Sequence, residues 1–265
     1  MTGMVRSLSV FVLSFFVLGG SRAEAGIELG GGSIALGGGN IDFGCTGLTI
    51  APGAEFSAGQ GQLRNLSLVN NAGTLAGGQA DVEVSGQWTN AGSFIAGQSS
   101  VSVTNSCGAS TVIGGENDFW NLVAAGLTGP LIFESGQQQR VANQLVLRGL
   151  DVDNLLFIRS SVTGSPAFLA LAMAGSQDIF HVNVRDNHAP DEGQALAAGG
   201  PFDFQSVDAG GNSRWFRDAF PPPVPVNALM PLSSLLLVLL VLFLGMWRMA
   251  CFRNKLNESA SRTYL

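Results

Sequence analysis

The sequence repeats itself at an offset of 19 residues, and this period decides which architectures are open to the chain. Three copies begin with AEFSAGQGQLRN, GTLAGGQADVEV and GSFIAGQSSVSV. In each copy an apolar residue, a Gly-Gln pair and a second apolar residue stand at the same offsets. These positions are Phe56, Leu75 and Phe94, then Gly59-Gln60, Gly78-Gln79 and Gly97-Gln98, then Leu63, Val82 and Val101.

A unit of this length is too short for a pair of helices, which needs about 30 residues or more. Alternating apolar residues, as at Val82 and Val84, indicate a strand. We therefore predict an all-β fold, a right-handed parallel β-helix whose coils stack on one another. Stacking places Phe56, Leu75 and Phe94 on one internal ladder with a spacing of about 4.8 Å. An antiparallel β-sandwich of hairpins is the alternative.

The strict period ends after Thr111, but strand-like runs and turn clusters continue. The strand-like runs are residues 131–133, 144–147, 155–158, 167–172 and 179–184, and the turn clusters are 135–136, 151–154, 164–166 and 185–188. Asn71 and Asn90 stand just before an Ala-Gly pair and suit left-handed corners. We predict one solenoid from about residue 27 to 216, with roughly nine or ten coils and with Trp215 and Phe216 as an apolar end plug.

Composition excludes three other classes of protein. Glycine supplies 36 of the 265 residues, and only 12% of the residues are charged, which is too few for the exposed faces of a helical bundle. The hydrophobic fraction of 46% is too high for a disordered chain. A net charge of −6 without a basic stripe argues against nucleic acid as a partner.

Residues 1–25 have the parts of a secretory signal peptide. Arg6 supplies the positive charge, residues 8–18 are apolar, and Ala23 and Ala25 form a small-x-small cleavage pattern. We expect cleavage after Ala25 and an exported domain at residues 26–220. An uncleaved N-terminal anchor is the alternative, although an apolar run of this length spans only about 16 Å as a helix.

The C-terminal region predicts one membrane-spanning helix. No charged residue occurs between Asp218 and Arg248, and the stretch is long enough to cross a bilayer. A basic stop cluster follows and predicts a cytoplasmic C-terminus, so we expect a single-pass inner-membrane anchor. The cluster consists of Arg248, Arg253 and Lys255, and the expected segments are a Pro-rich spacer (221–228), the helix (229–252) and a tail (253–265).

The sequence VPVNALMPLSSLLLVLLVLFLGMWRMACFR resembles the IPTL-CTERM class of bacterial C-terminal sorting signals, which are relatives of the PEP-CTERM signals. The resemblance implies handling by an exosortase-type membrane protease, with the sorting motif at Val224, Pro225, Val226 and Asn227. The chain has VPVN where the family often has Ile-Pro-Thr-Leu, and its tail is longer than usual. A plain single-pass anchor is the alternative.

The body of the chain also resembles known bacterial surface proteins. Segments such as GQWTNAGSF, SCGASTVIGGENDFWNL and SVDAGGNSRWF are similar to those of surface proteins with IPTL-type tails. The 19-residue period resembles the β-helix repeats of adhesin-like and haemagglutinin-like exoproteins. The resemblance implies an architecture and a surface location, and it brings no catalytic residues.

Residues that carry chemistry are few. We expect His181 to face outward from a strand together with Asn183, and His188 to lie in a solvated turn. His188 has carboxylates nearby in sequence, at Asp186, Asp191 and Glu192, but no metal-binding spacing such as HxH or HExxH is present.

The acidic loop at residues 151–154 has oxygen ligands that suit Ca²⁺, but it lacks the spacing of known calcium loops, so we expect a β-turn. Asp151 and Asp178 do not fall on adjacent coils at the same position, so they predict no pair of catalytic carboxylates. We expect no catalytic residue, metal or cofactor.

Cys45 and Cys107 share the exported domain, where a disulfide is permitted. In a regular helix, however, the two would stand roughly 14 Å apart, beyond the roughly 7 Å between Cα atoms that a bridge allows. A disulfide therefore requires the N-terminal segment to fold back along the solenoid. Cys251 follows the membrane helix and is expected to be a free thiol.

Together these features predict an exported, non-enzymatic protein of a bacterial envelope or extracellular matrix. Its role is structural or adhesive, and its polar flanks face extracellular polysaccharide or other surface proteins. The alternative is a carbohydrate-active β-helix enzyme, a polysaccharide lyase or hydrolase. A groove with clustered carboxylates would favour the enzyme, and a smooth polar flank would favour the rod.

Overall fold

The computed structural model describes residues 26–108, 110–198 and 205–216, and its regular elements in those ranges are all β-strands. The strands are, in chain order, β1 (Ile27–Leu29), β2 (Gly32–Ala35), β3 (Asn40–Ile50), β4 (Ala54–Ser57), β5 (Gln62–Asn71), β6 (Thr74–Ala76), β7 (Asp81–Asn90), β8 (Ser93–Ile95), β9 (Ser100–Val103), β10 (Thr111–Gly115), β11 (Asn117–Ala125), β12 (Leu131–Phe133), β13 (Gln138–Arg148), β14 (Leu156–Ser160), β15 (Ala167–Leu171), β16 (Ser176–Phe180), β17 (Val182–Arg185), β18 (Asn187–His188) and β19 (Val207–Asp208).

Each coil of the protein has three faces, which we call A, B and C. In the coil that contains β5, residues 62–64 lie on face A and residues 68–71 on face B, with a bend between them where the register shifts. β6 follows on face C and belongs to a separate sheet. Every pairing between named strands in the described residues is parallel. The fold is therefore a parallel β-solenoid, and the antiparallel sandwich is excluded.

The solenoid makes about eight turns from the first to the last strand of face B, close to the nine or ten coils that the sequence suggested. The strands that stack on face B are β1, β3, β5, β7, β10, β12, β14, β17 and β19. Later coils use more residues than the repeat does, because their corners carry longer loops. Phe133 pairs with Ser160, and Val141 pairs with Leu171, a separation well beyond 19 residues in both cases.

The predicted apolar ladder is confirmed. Phe56 pairs with Leu75, and Leu75 pairs with Phe94, in parallel register on face C. Their exposed fractions are 0%, 1% and 9%. Trp88 joins them from face B, with its ring centroid 5.0 Å from that of Phe94 in an edge-on arrangement. The repeat thus reflects the core, since each copy contributes one residue to each internal stack.

The first residues of the Gly-Gln pairs also stack on one another, and two features of this stack require glycine. Gly59, Gly78 and Gly97 have φ angles of +66°, +64° and +62°, a left-handed conformation that favours glycine. The coils also approach closely at this corner, because a Cβ on Gly78 would lie 2.4 Å from the carbonyl oxygen of Gly59.

Replacing Gly78 with alanine should therefore destabilise the solenoid by about 3 kcal/mol, through the left-handed strain and the overlap with the coil below. Gly136→Ala is the matched control, since Gly136 also has a positive φ (+77°) but a methyl group there would meet no atom within 4 Å. The control should cost only about 1 kcal/mol. Urea unfolding of both variants measures the difference, and equal losses would contradict the close approach.

Asn71 and Asn90 do not occupy left-handed corners, so that expectation was wrong. Each ends a strand on face B, and the two side chains are buried. Asn71 Nδ2 donates to Asn90 Oδ1 at 2.8 Å, and Asn90 Nδ2 donates to the carbonyl of Glu116 at 2.9 Å. The asparagines thus stack in an internal ladder joined by one amide–amide hydrogen bond, in which Asn71 Oδ1 has no hydrogen-bond partner among the described residues.

The glutamines of the Gly-Gln pairs form a matching ladder on the outside. Gln60 Nε2 donates to Gln79 Oε1 at 3.1 Å, and Gln79 Nε2 donates to Gln98 Oε1 at 3.5 Å. The repeat therefore places an ordered row of amides along one exposed corner of the solenoid.

The two ends of the described solenoid differ. At the C-terminal end Trp215 is 1% exposed and Phe216 packs against the core, as the sequence suggested for an end plug. At the N-terminal end several core side chains are only partly buried. These are Ile27, Ile34, Leu36 and Ile41.

The predicted strand at 179–184 is broken. His181 has a φ of +53° and separates β16 from β17, so Ile179 and Val182 both point inward instead of lying on opposite faces. The expectation failed because this segment crosses from face A to face B at that residue. The predicted turn at 185–188 is likewise shorter in the structure: Asp186 forms the corner (φ +55°), and Asn187–His188 is already strand β18.

Candidate binding surface at a disulfide-pinned corner

The corner between faces A and B departs from a regular coil in several successive turns. In successive coils it contains Cys45 and Asn65, both with left-handed backbones (φ 66° and 55°), and then Ser85. In the next coil, β9 and β10 are separated at this corner by the segment 104–108, which we call the crossing segment. It runs back along this corner instead of joining the stack.

Contacts with three earlier coils define its path. The backbone N–H of Cys107 donates to Ser85 Oγ at 2.7 Å. Cys107 Sγ lies 3.6 Å from the carbonyl oxygen of Asn65, one coil further back. Cys107 is then joined to Cys45 in a disulfide whose Cα atoms are 5.2 Å apart. The separation of Cys45 and Cys107 expected for a regular β-helix does not apply here, because the crossing segment runs along the solenoid axis and brings Cys107 to Cys45.

The segment that folds back is therefore 104–108, and not the N-terminal segment that the sequence argument required. β1, near the N-terminus, stacks on β3 as an ordinary coil. No sequence pattern indicated the crossing segment, since residues 104–110 simply fail to match the repeat.

Polar side chains fix the start of the crossing segment. Glu83 Oε1 accepts hydrogen bonds from Thr104 Oγ1 and from Ser106 Oγ, both at 3.1 Å. The carboxylate of Glu83 thus ties the segment to the outer surface of β7, one coil below β9.

Beside these contacts lies a shallow depression of about 230 Å³ on the outer surface of face A. Its lining residues are Gln62, Leu63, Arg64, Asp81, Val82, Glu83, Ser102 and Thr104. Asp81 and Glu83 are two residues apart on β7 and so point to the same side of the sheet. Arg64 Nη2 donates to Gln62 Oε1 at 2.7 Å. The depression thus brings two carboxylates and a guanidinium together, a grouping that the sequence analysis did not identify.

The carboxylate of Asp42 organises the neighbouring coil. Its Oδ1 accepts hydrogen bonds from Asn65 Nδ2 and from the Gly44 N–H, both at 2.9 Å. The Asn65 bond above all, then the Gly44 bond and the nearby Arg64, lower the pKa of Asp42 below its ordinary value of 3.8. Because the folded state has the lower pKa, these contacts stabilise the corner above pH 3.8 and are lost as the pH falls through the folded pKa.

Asn65→Gly should therefore raise the Asp42 midpoint toward 3.8, since glycine tolerates the left-handed backbone but removes the donor. NMR titration of the Asp42 carboxyl carbon measures the shift, with the Asp151 carboxyl of the same protein as an internal control. An unchanged Asp42 midpoint in the variant would mean that Asn65 does not hold the carboxylate in solution.

The two histidines of the chain, His181 and His188, make their contacts elsewhere. His181 is half-buried, and its Nε2 is hydrogen-bonded to Gln205 Oε1. His188 packs edge-on against Phe168, with ring centroids 5.7 Å apart, and lies in a strand instead of the solvated turn that was expected.

The carboxylates near His188 in sequence go to separate partners. Asp186 Oδ2 accepts from the Gly164 N–H at 3.0 Å. Asp191 pairs with Arg214 at 3.5 Å, and Glu192 accepts from Gln138 Nε2 at 2.9 Å. In the part of the chain that the structure describes, no group of three or more His, Cys, Asp or Glu side chains is arranged to hold a metal ion.

The acidic loop after β13 closes on itself. Asp151 Oδ1 accepts hydrogen bonds from the N–H groups of Asp153 and Asn154 and from Asn154 Nδ2, at 2.9, 2.9 and 2.8 Å. These bonds, the side-chain bond foremost, lower the pKa of Asp151. Asp178, the other carboxylate considered from the sequence, forms an ion pair with Arg148 at 2.6 Å.

The targeting features all lie outside the described residues. They are the cleavage site (Ala23, Ala25), the sorting motif (Val224, Pro225, Val226, Asn227), the basic cluster (Arg248, Arg253, Lys255), the membrane helix (229–252) and Cys251. Within residues 26–108, 110–198 and 205–216, no helix is long and apolar enough to cross a bilayer.

The fold and the corner together define the class of the protein: a parallel β-solenoid with three faces and a disulfide that links non-adjacent coils. Comparison with protein-family models, with curated proteins and with solved structures gave no match.

Proposed function

We propose that this protein is an exported, non-enzymatic component of a bacterial envelope or extracellular matrix, with a structural or adhesive role. A signal peptide cleaved after Ala25 directs export. An IPTL-type signal, with its motif at 224–227 and its basic cluster, then holds the protein in the inner membrane or presents it to an exosortase-type protease. The exported domain at residues 26–220, which contains the right-handed solenoid, is the part that reaches the cell surface.

The observation that carries the proposal is the disulfide between Cys45 and Cys107. Disulfides persist in oxidising compartments outside the cytoplasm, so this bridge fits the export predicted independently from residues 1–25. The outer surface supports the adhesive role, since the row formed by Gln60, Gln79 and Gln98 offers amide groups to a ligand along the solenoid axis.

A carbohydrate-active enzyme is the second candidate, and the depression on face A is the observation that favours it. Asp81 and Glu83 share one side of β7 there, beside Arg64. Glu83, however, is already engaged by Thr104 and Ser106, and this role in holding the crossing segment is sufficient to explain the residue.

Incubation of the purified mature protein with a panel of polysaccharides separates the two candidates. The structural proposal expects the polymers to remain uncut, with and without added Ca²⁺. Release of reducing ends or unsaturated sugars that is abolished by Asp81→Asn, but not by the surface control Asp118→Asn, would overturn it in favour of the enzyme.

A further inference from the structure

Four polar and aromatic residues form a compact block on the outer surface of face B, near the C-terminal end of the solenoid. Phe157 and Arg159 lie on β14, and Asn183 and Arg185 lie beside them on β17. Phe157 is in register with Asn183, and Arg159 with Arg185. Since neighbouring strands are about 4.8 Å apart, the four side chains occupy one small area of the surface.

The block combines a partly exposed aromatic ring with a fixed guanidinium that lies over one face of that ring. Phe157 is 44% exposed, and the guanidinium carbon of Arg159 lies 5.0 Å from the centroid of its ring. Arg159 Nη1 and Nη2 donate to the carbonyl and to the side-chain oxygen of Asn183, at 2.6 and 2.7 Å. These bonds hold Arg159 in place, so the orientation of the block is set before any ligand arrives.

The two guanidiniums repel each other, and the adjacent carboxylate of Asp186 offsets part of that repulsion. Burial first and then the neighbouring Arg185 lower the pKa of Arg159, whereas Asp186 raises it. Among the described residues, the one ion pair of either guanidinium joins Arg185 Nε to Asp186 Oδ2 at 3.6 Å, and Arg185 remains 43% exposed. The exported domain as a whole has 7 arginines against 17 carboxylates. Two arginines in register are therefore unusual for this surface.

We infer that this block, which we call the Arg–Phe block, binds an acidic polysaccharide, with a sugar ring on the exposed part of Phe157 and its carboxylate on the guanidinium of Arg185. The ring of a pyranose offers C–H groups that pack on an aromatic face, and a guanidinium fork matches a carboxylate. This assignment rests on the proposed function and names the class of its ligand.

The surroundings of the block suit a polymer. Around the corner, Phe180 is 40% exposed and has Arg148 over its ring at 5.4 Å. The backbones beside the two aromatic residues are hydrogen-bonded, because the carbonyl of His181, which follows Phe180, accepts from the N–H of Leu156, which precedes Phe157. A second exposed ring offers a place for a further sugar of the same chain.

The net negative charge of the exported domain does not prevent binding. At physiological ionic strength, exposed charges more than about 8 Å apart are largely screened from one another. The block then carries two guanidiniums against the one carboxylate of the adjacent Asp186, so its local charge is positive and outweighs the more distant carboxylates. Binding should accordingly be measured near 0.15 M salt, the ionic strength to which that screening length refers.

Affinity electrophoresis of protein extracted from the cell surface, in gels that contain alginate or neutral dextran, tests the inference. Alginate should retard the protein and dextran should not. Arg185→Gln and Phe157→Ser should each weaken the retardation about tenfold, as expected for the loss of one charge-assisted contact or one stacking contact. Arg140→Gln is the matched control, since Arg140 is a 48% exposed arginine elsewhere on the surface, and it should leave the retardation unchanged.

The assignment to this block would be overturned if Arg185→Gln and Phe157→Ser were retarded as strongly as Arg140→Gln and the parent protein, with thermal melts like that of the parent. Absence of retardation in alginate would overturn the ligand class while leaving the structural role intact. Cleavage of the alginate would instead contradict the proposed function itself, so the two failures are distinguishable.

Discussion

Replacing Leu75 with aspartate should prevent the solenoid from folding. Leu75 is 1% exposed and lies between Phe56 and Phe94 in the internal apolar ladder. Burying an unpaired carboxylate costs several kcal/mol or more, which is comparable with the entire stability of a domain, about 5–15 kcal/mol. Circular dichroism should show loss of the β-sheet signal, and urea unfolding should show no cooperative transition.

Ile95→Asp is the matched control for Leu75→Asp. Ile95 lies on face C in the next coil but points outward and is 56% exposed. The same change of side chain should there cost no more than about 1 kcal/mol. A cooperative melt for Leu75→Asp close to that of Ile95→Asp would show that the register of the solenoid is wrong.

Removing the disulfide should produce the second-largest loss of stability. The bridge closes a loop with a sequence separation of 62 residues. In the chain-entropy model a loop of this length contributes about 4 kcal/mol to the free energy of unfolding. The double variant Cys45→Ser, Cys107→Ser should lose about that amount in urea unfolding, and the crossing segment should become the first part of the described chain to exchange its amide hydrogens.

Reduction provides the control for that experiment. A reducing agent should lower the urea midpoint of the parent protein to that of the double serine variant, and it should not affect the variant itself. If reduction leaves the parent midpoint unchanged while thiol titration finds both cysteines free, the bridge does not stabilise the fold.

The regular part of the fold could be predicted from the sequence because equivalent residues of successive coils make the same contacts. Each 19-residue copy meets the same surroundings, so the positions of Phe56, Leu75 and Phe94 identify the core without any knowledge of the structure. Beyond residue 111 the strand at 131–133 was predicted within its observed bounds, whereas coil length was not, since longer corner loops leave no periodic mark.

The corner beside the disulfide could not be predicted for the opposite reason. Its geometry depends on contacts among coils that are one, two and three repeats apart, such as that of Cys107 with Ser85. No local pattern encodes a segment that leaves the stack. The Arg–Phe block was missed in a similar way, because Arg159 and Arg185 are 26 residues apart in sequence and become neighbours only through the register of β14 and β17.

Mass spectrometry of the protein extracted from the cell surface tests the central proposal, export of the solenoid through its two terminal signals, most directly. The proposal expects an N-terminus at Gly26 and a C-terminus near Pro225, with no peptide that contains Lys255. An N-terminus at Gly26 with an intact Leu265 would leave export in place and reduce the tail to a plain anchor. Recovery of the chain only from the cytoplasm, beginning at Met1, would contradict the account.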